Sequence, residues 1–303
     1  MEYAPKGDNI SLDSKRDVPL LQTIYQLGGI IHKRHLKVLF WPNAVTDRAL
    51  EKRVNEKLSH NGYILRTSEA DHEEHPMSEG VYCLGIRGAV LVAKAQGLSV
   101  AEPETLGTPD DKPHRNVLNQ LKKQDFYWRR VPNWEGLPHD LKVIDVYVAL
   151  RRAIEAQPGR FHLLQWVHEG AFRHKSSELQ TLPDAYLKIS DTSRPGLAAR
   201  FLIEMDRGNY THDTFIAKIK GELEYFYSPA YLDLAKHVAG RWLIVFEKEG
   251  GMENLLPKIA TAVGDASYLF LTSSLDQVMK SNPITDAIWH QPGEEKPRTL
   301  LLD

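Results

Sequence analysis

The spacing of apolar residues in the first sixty positions predicts three helices. The first lies within residues 18–30, and the second is a short helix over residues 35–40. The third is predicted over residues 46–62, with Thr46 as its N-cap and an Asn-Gly pair that suits a helix end. Together they indicate a small helical module near the start of the chain.

The third predicted helix has one apolar stripe and several polar faces. Leu50, Val54 and Leu58 repeat every four residues and define the side that we expect to be buried. The other faces are rich in side chains that can contact phosphate or bases. These candidates for DNA contact are Arg48, Lys52, Arg53, Asn55 and Lys57.

Two extended segments and a further helix follow. Residues 63–67 and 80–84 have strand character around a polar loop, and residues 85–98 predict a closing helix. Three helices followed by a hairpin are typical of a winged helix-turn-helix, whose third helix enters the major groove while the wing contacts the backbone. Arg66 lies on the predicted wing and joins the candidates for DNA contact.

A second interpretation of this module stays open. Winged helices also mediate protein contacts, and a face rich in Lys and Glu is often only a solvated surface. The loop of the predicted wing carries Glu69, Asp71, Glu73 and Glu74, whose charges would repel phosphate. We therefore expect this loop to point away from bound DNA.

A polar stretch separates the two halves of the chain. Residues 99–112 contain Pro, Gly and Thr, which is typical of a domain boundary. The following twenty residues mix cations with aromatic side chains, which suits either phosphate contact or packing between domains. We predict domains over residues 1–98 and 136–303, joined by a linker over residues 99–135.

The second half predicts the order α-β-β-β-α-β-α-β. An amphipathic helix over residues 139–156 comes first, and a short helix comes after the last strand. Such alternation predicts a mixed sheet flanked by helices. The predicted strands are residues 161–169, 184–190, 199–206, 241–247 and 267–273, with helices over 211–227 and 252–263.

Composition sets limits on location and on chemistry. A chain of 303 residues with 42% apolar and 26% charged residues is an ordinary globular protein of two domains. The N-terminus has no apolar core, and no run approaches the roughly 18 apolar residues of a membrane helix, so we expect a cytoplasmic protein. The net charge of −2 gives no argument for nucleic acid, and the lone Cys83 in an apolar run is expected to be inert.

Acidic residues fall at the ends of the predicted strands in the second half. Asp184 opens one strand, and Glu204 and Asp206 end the next, where a two-residue spacing puts both carboxylates on one face. Carboxylates converging from neighbouring strands make an oxygen site suited to Mg²⁺ or Mn²⁺, which can activate water for attack on a phosphodiester. Lys218 on the next helix supplies a cation, and Glu169 is a further candidate ligand.

Each of these residues also has an ordinary explanation. An aspartate after proline is usually turn chemistry, the acids at 204 and 206 could be a solvated strand end, and Lys218 alone is most often a surface lysine. Their joint occurrence is what favours a metal site. Other enzyme classes lack support, because the sequence contains no G-x-x-x-x-G-K-[ST] loop, no G-x-G-x-x-G and no G-x-S-x-G elbow.

The order of these motifs resembles a known family, the replication-relaxation proteins, over about residues 17–247. The resemblance implies a winged helix joined to a restriction-endonuclease-like PD-(D/E)xK domain, and a role as accessory factor in replication or DNA relaxation on plasmids and other mobile elements. The residues that carry it, beside the N-terminal module, are His139 and Asp145, Trp166 and Glu169, LPDA at 182–185, FLIEMDRG at 201–208 and the following AKI.

The chain departs from the nuclease motif at one position. A lysine is expected two residues after Glu204, where this chain has Asp206. The resemblance allows that lysine to move to the neighbouring helix, where Lys218 is better placed than Lys220. The departure also fits a pseudo-nuclease that binds DNA without cutting it.

Two hypotheses follow for the whole protein. The first is a Mg²⁺- or Mn²⁺-dependent DNA endonuclease or nickase of a plasmid or mobile element, with Asp184, Glu204, Asp206 and Lys218 as its catalytic residues. The second is a non-catalytic DNA-binding accessory protein or repressor with a degenerate nuclease fold. Double-stranded DNA is the expected partner in both, with a homodimer and contacts to other replication or mobilisation proteins as further predictions and no membrane association.

Overall fold

The computed structural model describes residues 11–101, 112–173, 182–208 and 211–301. The chain divides into two compact units, Met1–Leu141 and Lys142–Asp303. This boundary lies later than the end of the predicted linker at residue 135. Each unit contains one sheet, with three strands in the first and five in the second.

The first unit combines short helices with a small sheet. Its elements are α1 (Asp17–Gln26), β1 (Ile30–His32), α2 (Lys33–Phe40), α3 (Arg48–Glu51) with a π-helical continuation (Lys52–Ser59), β2 (Ile64–Arg66), α4 (Glu69–Glu74), a 3₁₀ turn (Pro76–Ser78), β3 (Val81–Leu84), α5 (Ile86–Ala95) and α6 (Lys112–Lys122).

The predicted hairpin of the first unit is confirmed as the antiparallel pair β2–β3, with Leu65 opposite Cys83. The sheet also contains β1, which the sequence pattern did not predict, and its strand order is β1-β3-β2. Cys83 is fully buried in the central strand, and burial raises the pKa of its thiol. This supports the expectation that the thiol is inert.

The third helix differs in detail from its prediction. It begins at Arg48 after Asp47, without a side-chain cap, so Thr46 is not its N-cap. From Lys52 onward it is π-helical. The predicted apolar stripe is nevertheless correct, because Leu50, Val54 and Leu58 are all fully buried.

Much of the predicted linker is folded against the first unit. It contains α6, and the ring of Phe126 stacks on Tyr25 of α1 at 4.2 Å between centroids. The backbone N–H of Arg129 donates to the carbonyl of Gly28 at 2.9 Å. Gly29 has a φ of +94°, and a Cβ there would lie 2.5 Å from the Arg129 carbonyl oxygen, so a side chain would prevent this approach.

The second unit follows the predicted order of elements. Short helices not predicted from the pattern follow β4 and α9, and no helix in the described ranges is long and apolar enough to cross a membrane. The helix α7 (Leu137–Glu155) begins before the unit boundary and continues into the second unit. It is followed by β4 (Phe161–His168), α8 (Glu169–Arg173), β5 (Ala185–Asp191), β6 (Ala198–Asp206), α9 (His212–Phe226), α10 (Pro229–Ala235), β7 (Arg241–Phe246), α11 (Glu249–Val263), β8 (Phe270–Ser274) and α12 (Leu275–Lys280).

The five-stranded sheet is mixed, as predicted, with the order β4-β5-β6-β7-β8. Strands β4, β5 and β6 pair antiparallel, whereas β6, β7 and β8 are parallel. β6 is therefore the central strand, with an antiparallel neighbour on one side and a parallel neighbour on the other. One face packs in a core that contains Leu202 of β6, Trp242 of β7, Phe215 and Ile219 of α9 and Ile259 of α11.

The two edges of this sheet differ. At the β8 edge, Thr272 forms an antiparallel bridge with His290, and the chain after α12 folds back with Trp289 fully buried. At the β4 edge, the pairing with β5 shifts register between Leu163 and Gln165, as in a β-bulge.

Candidate active site

The candidate site is built on the end of the central strand β6. Glu204 and Asp206 lie on the same face as Leu202, and only 1% and 3% of their surfaces are exposed. They lie opposite Ile244 and Phe246 of the parallel strand β7. Two carboxyl groups in such an apolar setting need partners, because burial of an unpaired charge is costly.

Asp184 is joined to β6 by two hydrogen bonds. Its backbone N–H donates to the carbonyl of Ile203 at 2.9 Å, and its Oδ2 accepts the backbone N–H of Met205 at 2.7 Å. The Asp184 carbonyl in turn accepts the N–H of Glu169 at 2.9 Å. The chain segments of Asp184 and Glu169 therefore meet beside the end of β6.

Lys218 reaches the site from α9, a helix capped by the hydroxyl of Thr211. Its ammonium donates a hydrogen bond to Oε1 of Glu204. Burial alone would lower the pKa of Lys218, but the carboxylates of Glu204 and Glu222 outweigh it and raise the pKa above its ordinary value. Lys220 is exposed, as expected from its position two residues farther along the helix.

Glu222 belongs to the same group of charges and was missed by the sequence analysis. Its side chain is fully buried, and neither carboxyl oxygen has a hydrogen-bond partner among the described residues. Burial raises its pKa well above 4.5, Glu204 raises it further, and Lys218 partly opposes them. The sequence does contain a pattern that indicates Glu222. Phe215, Ile219 and Glu222 fall on one helical face, and only Glu222 is not apolar.

The raised pKa of Glu222 predicts a pH-dependent penalty on folding. Below about pH 4.5 both the folded and the unfolded chain hold the proton, but above it the unfolded chain loses the proton first. The free energy of unfolding should then fall by about 1.4 kcal/mol per pH unit until the folded pKa is reached. Glu222→Gln, which cannot ionise, should match the parent chain near pH 4 and exceed its stability near pH 7 in urea unfolding.

The exposed Glu224 on the same helix provides the control for this comparison. Glu224→Gln should differ from the parent chain by a similar small amount at both pH values. A stability difference for Glu222→Gln that is also constant with pH would show that Glu222 ionises normally.

A cavity of about 130 Å³ opens beside Asp206. It gives the end of β6 a space into which a small polar group can enter. Its lining comes from that strand end and from the first turns of α9 and α11: Asp206, Gly208, His212, Phe215, Gly251, Asn254 and Leu255.

The fit to a divalent cation can be judged from the donors. Asp184, Glu204 and Asp206 supply only carboxylate oxygens, the ligand type that Mg²⁺ and Mn²⁺ prefer. In the described ranges, however, no three His, Cys, Asp or Glu side chains are grouped so that they could hold a metal ion. The type of donor therefore suits a divalent cation. In the arrangement that the structure shows, however, Glu204 is hydrogen-bonded to Lys218.

The candidates for DNA contact fall into two groups. Arg48 and Lys52 are exposed, and Lys57 and Arg66 are partly exposed. Arg53 instead points to the fully buried Asp17, and its Nε lies 3.1 Å from both carboxylate oxygens.

Asn55 is partly exposed. Burial raises the pKa of Tyr82, and the side chain of Asn55 helps to lower it. The guanidinium of Arg53 is engaged within the unit, which the sequence pattern could not reveal. Both were predicted to contact DNA, and for Arg53 the pair with Asp17 adds a structural role that the sequence did not indicate.

The family model described as replication-relaxation matches residues 33–232, which covers the third helix, β2 and β3 of the first unit, β6 and α9. The chain belongs to the replication-relaxation family. The match includes Asp184, Glu204, Asp206, Lys218 and Glu222. It confirms the family resemblance found in the sequence.

Comparison with other proteins adds little to the family assignment. No curated protein matches this replication-relaxation protein. Among solved structures, restriction endonuclease FokI bound to DNA is similar at 10% identity, covering 90% of this chain and 46% of that one, with a TM-score of 0.24. This chain thus spans about half the length of that structure, and a likeness so low carries no argument about fold or chemistry.

Proposed function

We propose that this protein is a DNA endonuclease or nickase of a plasmid or mobile element. The observation that carries the proposal is the hydrogen bond from Lys218 to Glu204 at the end of β6, where Asp206 is also buried and Asp184 accepts the backbone N–H of Met205. Three carboxylates and one ammonium, held on adjacent strands and the following helix, are the groups that phosphodiester hydrolysis needs. Family membership supports a role on replicating DNA.

The first unit supports binding to double-stranded DNA. Its order of helix, strand, two helices and a β-hairpin supports the proposal of a winged helix-turn-helix, whose third helix would enter the major groove. Arg48 and Lys52 on that helix are exposed and free to face phosphate. A homodimer and contacts with other replication or mobilisation proteins remain predictions.

Each residue of the site would have a distinct role in cleavage. Asp184, Glu204 and Asp206 would hold a divalent cation, with Glu169 as a further ligand, and such a cation polarises a phosphodiester and lowers the pKa of a bound water. Asp184 is oriented for this by the Met205 N–H. The ammonium of Lys218 would face the phosphate oxygens and stabilise the charge that develops on them.

A second function is favoured by one specific observation. Lys218 hydrogen-bonds Glu204, and no metal-binding group of three residues is found in the described part of the chain. A domain that keeps this closed arrangement would bind DNA without cutting it. The protein would then be an accessory factor or repressor, and DNA binding would not depend on a divalent cation.

Incubation with supercoiled plasmid tests the proposal directly. With Mg²⁺ or Mn²⁺ the parent protein should convert plasmid to nicked or linear DNA, and EDTA should prevent this. Asp184→Asn and Glu204→Gln keep the side-chain shape but remove a charged ligand, so each should slow cleavage by about 100-fold. Gel electrophoresis of timed samples gives the rates.

Glu224→Gln is the matched control, because Glu224 is an exposed glutamate on α9 outside the site. It should cleave at the parent rate. If the parent protein shifts DNA in a gel but leaves plasmid intact with either cation, the binding-only function is correct. Cleavage that survives in both Asp184→Asn and Glu204→Gln would place the active site elsewhere.

A further inference from the structure

The proposed cation and the Lys218 ammonium compete for one carboxylate. Lys218 donates its hydrogen bond to Glu204, which is 1% exposed and is one of the proposed ligands. When Glu204 binds a divalent cation, a second positive charge beside it is unfavourable. The ammonium then needs another anionic partner within reach of its side chain, because 21% exposure gives it little access to water.

Glu222 lies where such a partner is required. It follows Lys218 by four residues on α9, and side chains at this spacing are neighbours on a helix surface. Its carboxyl group is fully buried and has no hydrogen-bond partner among the described residues. It interacts electrostatically with Lys218 and with Glu204.

Packing alone does not explain a glutamate at this position. Its neighbours on the same helix face, Ile219 and Phe226, belong to the apolar core of the second unit. A leucine there would avoid the desolvation of a carboxyl group that makes no hydrogen bond within the described chain. The charge of Lys218 one turn away supplies a reason for the carboxyl.

We propose that Glu222 positions Lys218 by offering a second carboxylate, to which the ammonium turns when Glu204 binds a divalent cation. The long, flexible lysine stem permits this change without movement of the helix. The cation half of the inference rests on the proposed function. The presence of a second partner for Lys218 is independent of the proposed function and can be tested without metal.

The metal-free test is urea unfolding in EDTA near pH 7. In the parent chain, Glu222→Gln should cause no loss of stability, since Lys218 pairs with Glu204. In a Glu204→Gln background, Lys218 depends on Glu222, so the same substitution should raise the unfolding equilibrium constant by about tenfold. Equal effects of Glu222→Gln in the two backgrounds would overturn the proposal.

The metal test is calorimetric titration with Mn²⁺. Glu222→Gln should weaken Mn²⁺ binding by about tenfold, because Lys218 then cannot leave Glu204 at low cost. If Glu222→Gln leaves the affinity for Mn²⁺ unchanged, the exchange of partners is contradicted. If it weakens Mn²⁺ binding but has equal effects on stability in the two backgrounds in EDTA, Glu222 is a direct ligand of the cation instead. A parent chain that binds no Mn²⁺ yet shows the coupling would end the metal-dependent function but keep Glu222 as the second partner.

Discussion

Lys218→Met will lower the free energy of unfolding of the second unit by about 3–5 kcal/mol at pH 7. Methionine keeps most of the side-chain volume but removes the ammonium that hydrogen-bonds Glu204. Glu204 is 1% exposed, so its charge would stay in an apolar setting without that cation. Removing one partner of a buried ion pair destabilises the fold for this reason, even where the intact pair adds little to the free energy of unfolding.

Urea unfolding followed by tryptophan fluorescence measures this loss, since Trp242 is fully buried in the core of the second unit. Lys220→Met is the control, because Lys220 is exposed on the same helix and its replacement should change stability by less than about 0.5 kcal/mol. If both variants unfold at the same urea concentration, the pair between Lys218 and Glu204 is not stabilising.

Arg48→Glu/Lys52→Glu will weaken binding to duplex DNA by about 10–100-fold and reduce the dependence on salt. Both side chains are exposed on the helix proposed to enter the major groove. If each contacts one phosphate, the slope of log affinity against log salt should become shallower by about two. Fluorescence anisotropy with a labelled duplex at several salt concentrations gives both quantities.

Lys15→Glu/Lys94→Glu changes the net charge equally and is the control. Both lysines are exposed in the first unit but lie outside the third helix. Their replacement should leave the salt slope unchanged. Equal losses for the two double variants would mean that only total charge matters and that the third helix is not the DNA-binding element.

The part of the site on β6 could be predicted because strand geometry is simple. Residues two apart share a face, so Glu204 and Asp206 were expected together, and an acid at the start of the preceding antiparallel strand was expected beside them. Lys218 was predicted from its place on the next helix. The hydrogen bonds that join Asp184 and Lys218 to β6 agree with this geometry.

The other features of the fold and the site were not predicted for two reasons. Some depend on contacts between residues distant in sequence, and others have a local sequence pattern that the predictions did not include. Arg53 pairs with Asp17, 36 residues away, and no local pattern distinguishes it from the exposed Lys52. Helix α4 has a capping box, in which Ser68 and Asp71 exchange hydrogen bonds, and this local signal could have predicted it. Glu222 likewise interrupts an apolar stripe and could have been noticed.

The segment that folds back after α12 protects the molecule from association with its neighbours. All five residues of β8 are buried, and without the bridge from Thr272 to His290 its outer edge would offer unpaired backbone groups to strands of other chains. The bulge between Leu163 and Gln165 disturbs the opposite edge and makes strand addition there less favourable. Both edges of the five-stranded sheet are thus less open to added strands than free strand edges would be.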